Sequence, residues 1–271
     1  KEYKDDKPHS KWKYYYGNKN TKKIESYYEG VRNGNFIEFY ETGIVSKSYY
    51  YKNNLLDSSY YEFLPNGSIS VEGYFDNGLK NGEWATFTEE GKLFSIGFYL
   101  NDYKDGAWKY FYKSGYLKSE GIYSTGFKNG QWIFFYENKN IDEIGSYYND
   151  LKDGLWGRFY SNGQLKQEEM YDKGKLISTS EYYYENGKIL DKGNFKNGKG
   201  DVFDHYEYGK IFSVKKYNNG FLNGKSIFYY SNGKIAEEGN YKNNIKVGVW
   251  KKYNKRGLEI SKSIDEKVNE K

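Results

Sequence analysis

The chain contains two histidines, His9 and His205, and no cysteine. A Ser-His-Asp nucleophile would have to recruit His205, and no nucleophile-elbow pattern accompanies it. A histidine pair for a metal ion is not available, and thiolate metal sites, disulfides and cysteine nucleophiles are excluded. Paired carboxylates stand at Glu89-Glu90 and Glu168-Glu169. Such pairs can do acid–base work on a glycosidic bond, but here they fall at turn and strand-edge phases, where they read as solvated surface charge. The segment Asp102 to Gly106 hints at a calcium loop, yet it lacks the spaced oxygen ligands and the terminal Glu. Glycines recur every few residues, but none leads into a helix, so no phosphate cradle is expected. We expect no catalytic residue, no metal site and no cofactor.

The chemistry that is abundant is aromatic. There are 34 Tyr, 17 Phe and 6 Trp in 271 residues, although 29% of the chain is charged and the mean hydropathy is −1.01. Rings rather than aliphatic branches must supply the buried area, which points to a thin, ring-lined sheet instead of a thick core. The net charge of +5 comes from both signs interspersed along the chain. No basic stripe of the kind that neutralises phosphates is present, so nucleic acid is not an expected partner. The longest apolar runs are a few residues, too short to span a membrane. The sequence opens at Lys1 rather than Met, which fits a removed leader peptide as well as a trimmed boundary.

The rings are placed by a repeat. With position 0 set at Gly82, the same phase returns at Gly106, Gly130 and Gly154, each 24 residues on. Two positions later stand Trp84, Trp108, Trp132 and Trp156, and Trp12 and Trp250 fall in the same phase once a two-residue shortening near Gly198 to Gly200 is allowed for. Position 5 is Phe or Tyr (Phe87, Phe111, Phe135, Phe159), position 9 is a turn glycine, position 11 is aliphatic and position 17 is aromatic (Tyr99, Tyr123, Tyr147, Tyr171). Units begin near Ser10, Gly34, Ser58, Gly82, Gly106, Gly130, Gly154, Ser178, Gly200, Gly224 and Gly248. The ring at position 2 is lost in three of them, at Ser180, Val202 and Ser226.

Each unit reads as two strands and two turns. Asn162-Gly163 and Asn232-Gly233 are hairpin signals, because both residues tolerate positive φ. Alternation puts positions 11, 13, 15 and 17 on one face, and position 5 is expected to join them. Glycine at position 15 (Gly97, Gly121, Gly145) leaves room for a ring. The Trp at position 2 has the other parity, so either a bulge turns it inward or it lines the second face. We favour the inward Trp, with a partly exposed Tyr at position 6. The expected fold is all-β: an elongated repeat array or solenoid of about ten hairpins in one continuous twisted antiparallel sheet, extending roughly 95 Å at about 4.8 Å per strand. Residues 1–9 form a charged lead and are expected to fray. Residues 10–258 hold the array. Residues 259–271 form a charged tail, read as a short capping helix or a frayed end.

The run from Glu120 to Ile141 resembles the bacterial variant of the MORN repeat, with Lys139 in place of a late glycine, and the pattern returns from Glu238 to Tyr253. The resemblance spans about residues 10 to 258. It implies a β-hairpin array of the kind that serves elsewhere as a scaffold, a dimerisation element, an accessory module or an antitoxin. The 24-residue unit is longer than the eukaryotic form, so the lipid role attached to the family name is not carried over, and a membrane lipid is not an expected partner. A fainter resemblance is to choline-binding cell-wall repeats.

These readings lead to a non-enzymatic protein-binding protein, exported or at a bacterial surface, whose partner is a host, toxin or cell-surface protein. The candidate contact is a column of tyrosines at position 6: Tyr40, Tyr112, Tyr136, Tyr160, Tyr184 and Tyr230. A phenol ring with a polar tip binds with little loss of entropy. Two alternatives remain open: a cytoplasmic antitoxin or immunity protein, and a glycan or cell-wall binder.

Overall fold

A computed structural model of the chain describes residues 2–265. Among the described residues there is no helix, and strands cover nearly every repeat unit. Seventeen strands, from Glu2–Lys4 to Lys175–Thr179, belong to one open antiparallel sheet whose members follow one another in hairpin order. A short ladder of Tyr182–Tyr183 with Ile189–Leu190 comes next, and six strands from Gly200–His205 to Glu259–Asp265 make a further sheet. The ladder is therefore interrupted between Thr179 and Gly200, where the repeat is two residues short and position 2 carries Ser180. The chain divides into two compact units, Lys1–Asn129 and Gly130–Lys271.

Two irregularities in each repeat set the direction of its side chains. The strands Tyr103–Phe111 and Leu117–Ser124 illustrate them in the first unit. Trp108 pairs with Gly121 and Tyr110 with Ser119, but Phe111 then pairs with Leu117, so Lys118 is an extra residue on the second strand. On the other side of the same strand, Gly97 pairs with Trp108 and Phe98 with Asp105, which leaves Gly106 and Ala107 unpaired there. Gly106 has φ +73°, a conformation that glycine adopts without a Cβ penalty. Bulges of this kind bend and twist a strand and re-aim its side chains.

The result is a tryptophan face. Positions 2, 15 and 17 share it, and position 2 is its centre: Trp12, Phe36, Trp84 and Trp108 are buried in the first unit, and Trp132, Trp156 and Trp250 in the second. The glycine at position 15 lies under the indole, because a methyl group built on Gly73, Gly97, Gly145 or Gly239 would overlap the ring of Trp84, Trp108, Trp156 or Trp250. The ring at position 17 meets the indole edge-on, as in the Tyr99–Trp108 pair at 5.3 Å and 89°. Each of these indoles donates its N–H to a backbone carbonyl ten residues earlier, for example Trp108 Nε1 to Phe98 O at 2.9 Å. Burial of a large ring with its polar atom satisfied is the main apolar gain in so thin a fold.

Three expectations are corrected. The position 5 rings, and the position 11 aliphatics paired with them as Leu117 is with Phe111, do not join the tryptophan face: a Cβ on Gly157 would meet the Phe159 ring at 3.0 Å, and Tyr61 and Phe63 are in ring contact, so positions 3, 5 and 11 lie together on the other side. The lead does not fray, since Glu2–Lys4 pairs with the strand Lys7–Tyr15. The tail is not a helix over its first part, since Glu259–Asp265 pairs with Ile245–Tyr253. A ladder needs only backbone partners, so each end adds a strand to its own sheet. The remainder of the expected tail, residues 266–271, lies outside the described residues.

Candidate functional site

The position 6 tyrosines are not a free column. Four of the six named rings turn along the array, and their hydroxyls donate to the carbonyl at position 5 of the following unit. Tyr40 reaches Phe63 O at 2.6 Å, Tyr136 reaches Phe159 O at 2.9 Å, Tyr160 reaches Tyr183 O at 2.8 Å and Tyr230 reaches Tyr253 O at 2.7 Å. Tyr16 and Tyr206 do the same with Phe39 and Tyr229. Tyr40, Tyr112, Tyr136, Tyr184 and Tyr230 are half-buried, and Tyr160 has 0% of its surface exposed. Burial first, then the nearby Asp142 carboxylate, raises the Tyr136 hydroxyl well above its ordinary pKa. Tyr40, Tyr136, Tyr160 and Tyr230 thus tie one hairpin to the next.

What is exposed instead lies on the side away from the indoles. In the first unit, position 16 carries Tyr74, Phe98 and Ile122, exposed by 44%, 49% and 51%. Each follows or nearly follows a position 15 glycine that points at a tryptophan, so strand alternation turns it outward. A second repeating row, Leu55, Leu79, Tyr103 and Phe127, is exposed where each first strand begins. The second unit has an outward pair in register, Leu155 opposite Met170.

On the tryptophan face, a lysine at position 22 lies over four of the indoles. Lys80 Nζ is 4.2 Å from the Trp84 ring, Lys104 Nζ 4.2 Å from Trp108, Lys152 Nζ 4.1 Å from Trp156 and Lys246 Nζ 3.8 Å from Trp250. The ring quadrupole attracts the ammonium while the alkyl stem covers apolar surface. Burial lowers the pKa of Lys104, and the neighbouring charges of Lys128 and Lys80 add to that.

In the second unit the consensus fails in a coordinated way. Position 15, glycine in the best-matched repeats, is Glu169 in one repeat and Lys215 in another; position 4, elsewhere often a ring, is Arg158 and Asp204. Arg158 Nη1 lies 2.9 Å from Asp204 Oδ1 and 3.2 Å from Glu169 Oε1, and Lys215 Nζ lies 2.5 Å from Asp204 Oδ2. Ser213 donates to Asp204 Oδ2 at 2.9 Å, and Tyr171 to Glu169 Oε2 at 2.8 Å. Burial alone would raise the Asp204 carboxyl, but the charges of Lys215 and Arg158 hold it well below the usual carboxylate range. The Asp204 and Glu169 charges likewise overcome burial and raise Arg158. This is a mutually neutralising cluster that replaces indole packing where the ladder breaks. The sequence signal for it is the opposite charge at positions 4 and 15 of the same two repeats, Arg158 with Glu169 and Asp204 with Lys215.

His205 is part of the same region and is enclosed. Its Nδ1 is 3.1 Å from Gly209 O, its Nε2 2.6 Å from Asp191 O, and its ring meets Tyr182 at 4.8 Å. Both ring nitrogens face backbone carbonyls, and the ring stands in for the usual Phe or Tyr. His9 is at the first hairpin, with Nδ1 facing Glu29 N at 3.4 Å. Glu168 and Glu169 point to opposite sides of their strand, and Glu89 and Glu90 are in a turn. Among the described residues, no group of three or more His, Asp or Glu side chains is placed to hold a metal ion.

The model of the MORN repeat variant matches seven segments, 32–53, 80–101, 104–124, 128–150, 152–173, 174–197 and 222–243, which together make up more than half of the chain. No curated protein gives a match. Among solved structures, the crystal structure of TcdB2-TccC3 without its hypervariable C-terminal region is matched over 90% of this chain and 15% of that chain. The identity is 10% and the TM-score 0.19.

Proposed function

The chain belongs to the MORN repeat variant family, and on that footing we propose that it is a non-enzymatic binding protein that docks another protein on the outward face of its first unit. The observation that carries this reading is the row Tyr74, Phe98 and Ile122, about half exposed and repeated every 24 residues. Large apolar side chains concentrated in one exposed row mark interaction surfaces, whereas scattered ones need no explanation. The row is edged by charge: Glu120 makes an ion pair with Lys109 at 3.6 Å, and Glu72 lies in the corresponding place one repeat earlier. An apolar centre with a polar rim is the ordinary anatomy of a protein interface. Export or surface display accompanies this proposal, because a chain without cysteine tolerates an oxidising compartment.

The test is a triple substitution, Tyr74→Ser, Phe98→Ser and Ile122→Thr, used as bait beside the unaltered chain in an extract of the source cells. The proposal expects one protein to be retained by the unaltered chain and lost from the variant, with the melting temperature of the two within a few degrees. Equal retention by both would remove the row from the interface.

A further inference from the structure

Thr86 stands at position 4, where the next two repeats carry rings. Tyr110 stacks on Trp108 with centroids 5.9 Å apart and an interplanar angle of 26°. Phe134 stacks on Trp132 in the same way, at 6.1 Å and 28°. Over Trp84 there is no such ring from its own repeat. A cleft of about 290 Å³ opens there, walled by Tyr60, Trp84, Tyr99 and Trp108 and floored by Thr86 and Ser95. That volume lies at the small end for ligand sites, the size of a side chain rather than of a cofactor. The floor is closed and polar, with Thr86 Oγ1 and Ser95 Oγ 2.7 Å apart.

The lysine above the cleft shows what is missing chemically. Lys104 Nζ donates to Tyr110 OH at 2.7 Å, Lys152 Nζ to Glu143 at 3.3 Å and Lys246 Nζ to Glu237 at 2.8 Å. Lys80 Nζ sits over Trp84 and Tyr99 in the same manner, but it has no hydrogen-bond acceptor among the described residues. Glu62 lines the same cleft, but its contacts, from Tyr60 OH at 2.5 Å and Lys47 Nζ at 3.1 Å, both fall on Oε1, and Lys80 makes no hydrogen bond to it. The cleft thus lacks the two things that Tyr110 supplies one repeat later: a ring against the indole and an oxygen for the ammonium.

We propose that the cleft between Tyr60, Trp84, Tyr99 and Trp108 receives the phenol ring of a tyrosine presented by a partner protein, with the hydroxyl accepting from Lys80. The ring takes the place that Tyr110 occupies in its own repeat. The proposal rests on the reading of this chain as a protein-binding protein, but it uses none of the residues of the outward row.

The probe is p-cresol, which is the tyrosine side chain alone, titrated into the full chain labelled with nitrogen-15. The six indole N–H signals are assigned with single Trp→Phe variants. The signals of Trp84 and Trp108 should shift saturably while those of Trp156 and Trp250 stay put. Lys80→Met should weaken p-cresol roughly tenfold, the loss expected for a hydrogen bond to a charged donor, and leave toluene unchanged. Thr86→Tyr, which restores the ring found at Tyr110, should abolish the shift. A capped peptide Gly-Ser-Tyr-Ser-Gly should move the same two signals and bind roughly tenfold more tightly than its Phe counterpart. The proposal is overturned if p-cresol leaves Trp84 and Trp108 unmoved, if Lys80→Met binds it unchanged, or if Thr86→Tyr binds it as well as the parent. Binding of p-cresol without the peptide would also overturn it, by assigning the cleft to a free small phenol. Because p-cresol reads the cleft with no partner present, its failure leaves the outward row untouched, and failure of the row leaves the p-cresol result standing.

Discussion

Gly97 and Trp108 are ladder partners on adjacent strands, and the glycine's missing side chain is the space that the indole fills. The repeat is built around this relationship. The same overlap recurs for Gly73 with Trp84, Gly145 with Trp156 and Gly239 with Trp250.

Gly97→Ala should therefore be costly although its backbone is ordinary for a strand. The methyl group meets a rigid indole rather than the end of a flexible chain, and overpacking of this kind costs about 1–3 kcal/mol. Urea unfolding of the variant should show a lower midpoint at similar slope. An unchanged midpoint would mean that the indole can move aside.

Tyr160→Phe removes only a hydroxyl, but that hydroxyl is the partner of Tyr183 O and lies on a side chain with no exposed surface. The orphaned groups should cost about 1–3 kcal/mol, read as a lower unfolding temperature. The same change at Tyr40, which is half-buried, should cost less, since water can reach the freed carbonyl.

Acid should attack the second unit through Asp204. Its folded pKa lies below its unfolded value, so its contribution is fully present above the unfolded pKa of about 3.9 and is lost as pH falls through the folded one. Stability should thus decline below about pH 4 and go on declining well below the normal carboxylate range. Asp204→Asn should lower stability by about 3–5 kcal/mol at neutral pH, because Lys215 and Arg158 lose a buried partner. It should also flatten the acid limb of a plot of melting temperature against pH. A variant with an unchanged acid limb would show that other carboxylates set it.

Thr86→Tyr should raise the unfolding temperature by a few degrees, since the new ring covers Trp84 and offers its hydroxyl to Lys80. A fall would indicate that the cleft cannot admit a ring at all.

Much of this was legible in the sequence because it is periodic. The tryptophan phase, the glycine at position 15 and the ring at position 17 were read correctly as one packed layer. The direction of position 5 was not, because an extra residue such as Lys118 on the facing strand breaks the simple two-residue alternation. Alternation alone leaves Tyr160 partly exposed, because its acceptor, Tyr183 O, is 23 residues away and no local pattern announces it. The charged cluster was visible only as departures from consensus at Glu169 and Lys215; that the two converge on Arg158 and Asp204 requires the folded backbone. Thr86 was legible as a non-aromatic residue in a phase often filled by rings, but the position of the Lys80 ammonium above Trp84 and Tyr99 was not.

The central claim, that the outward row of the first unit is a protein interface, is tested most directly by photocross-linking. A benzophenone amino acid would replace Phe98 in one preparation and Lys113, an exposed turn residue, in another. After irradiation in an extract of the source cells, the account predicts one adduct of defined mass from position 98 and none of that mass from position 113. The same adduct from both positions, or none from position 98, would contradict it.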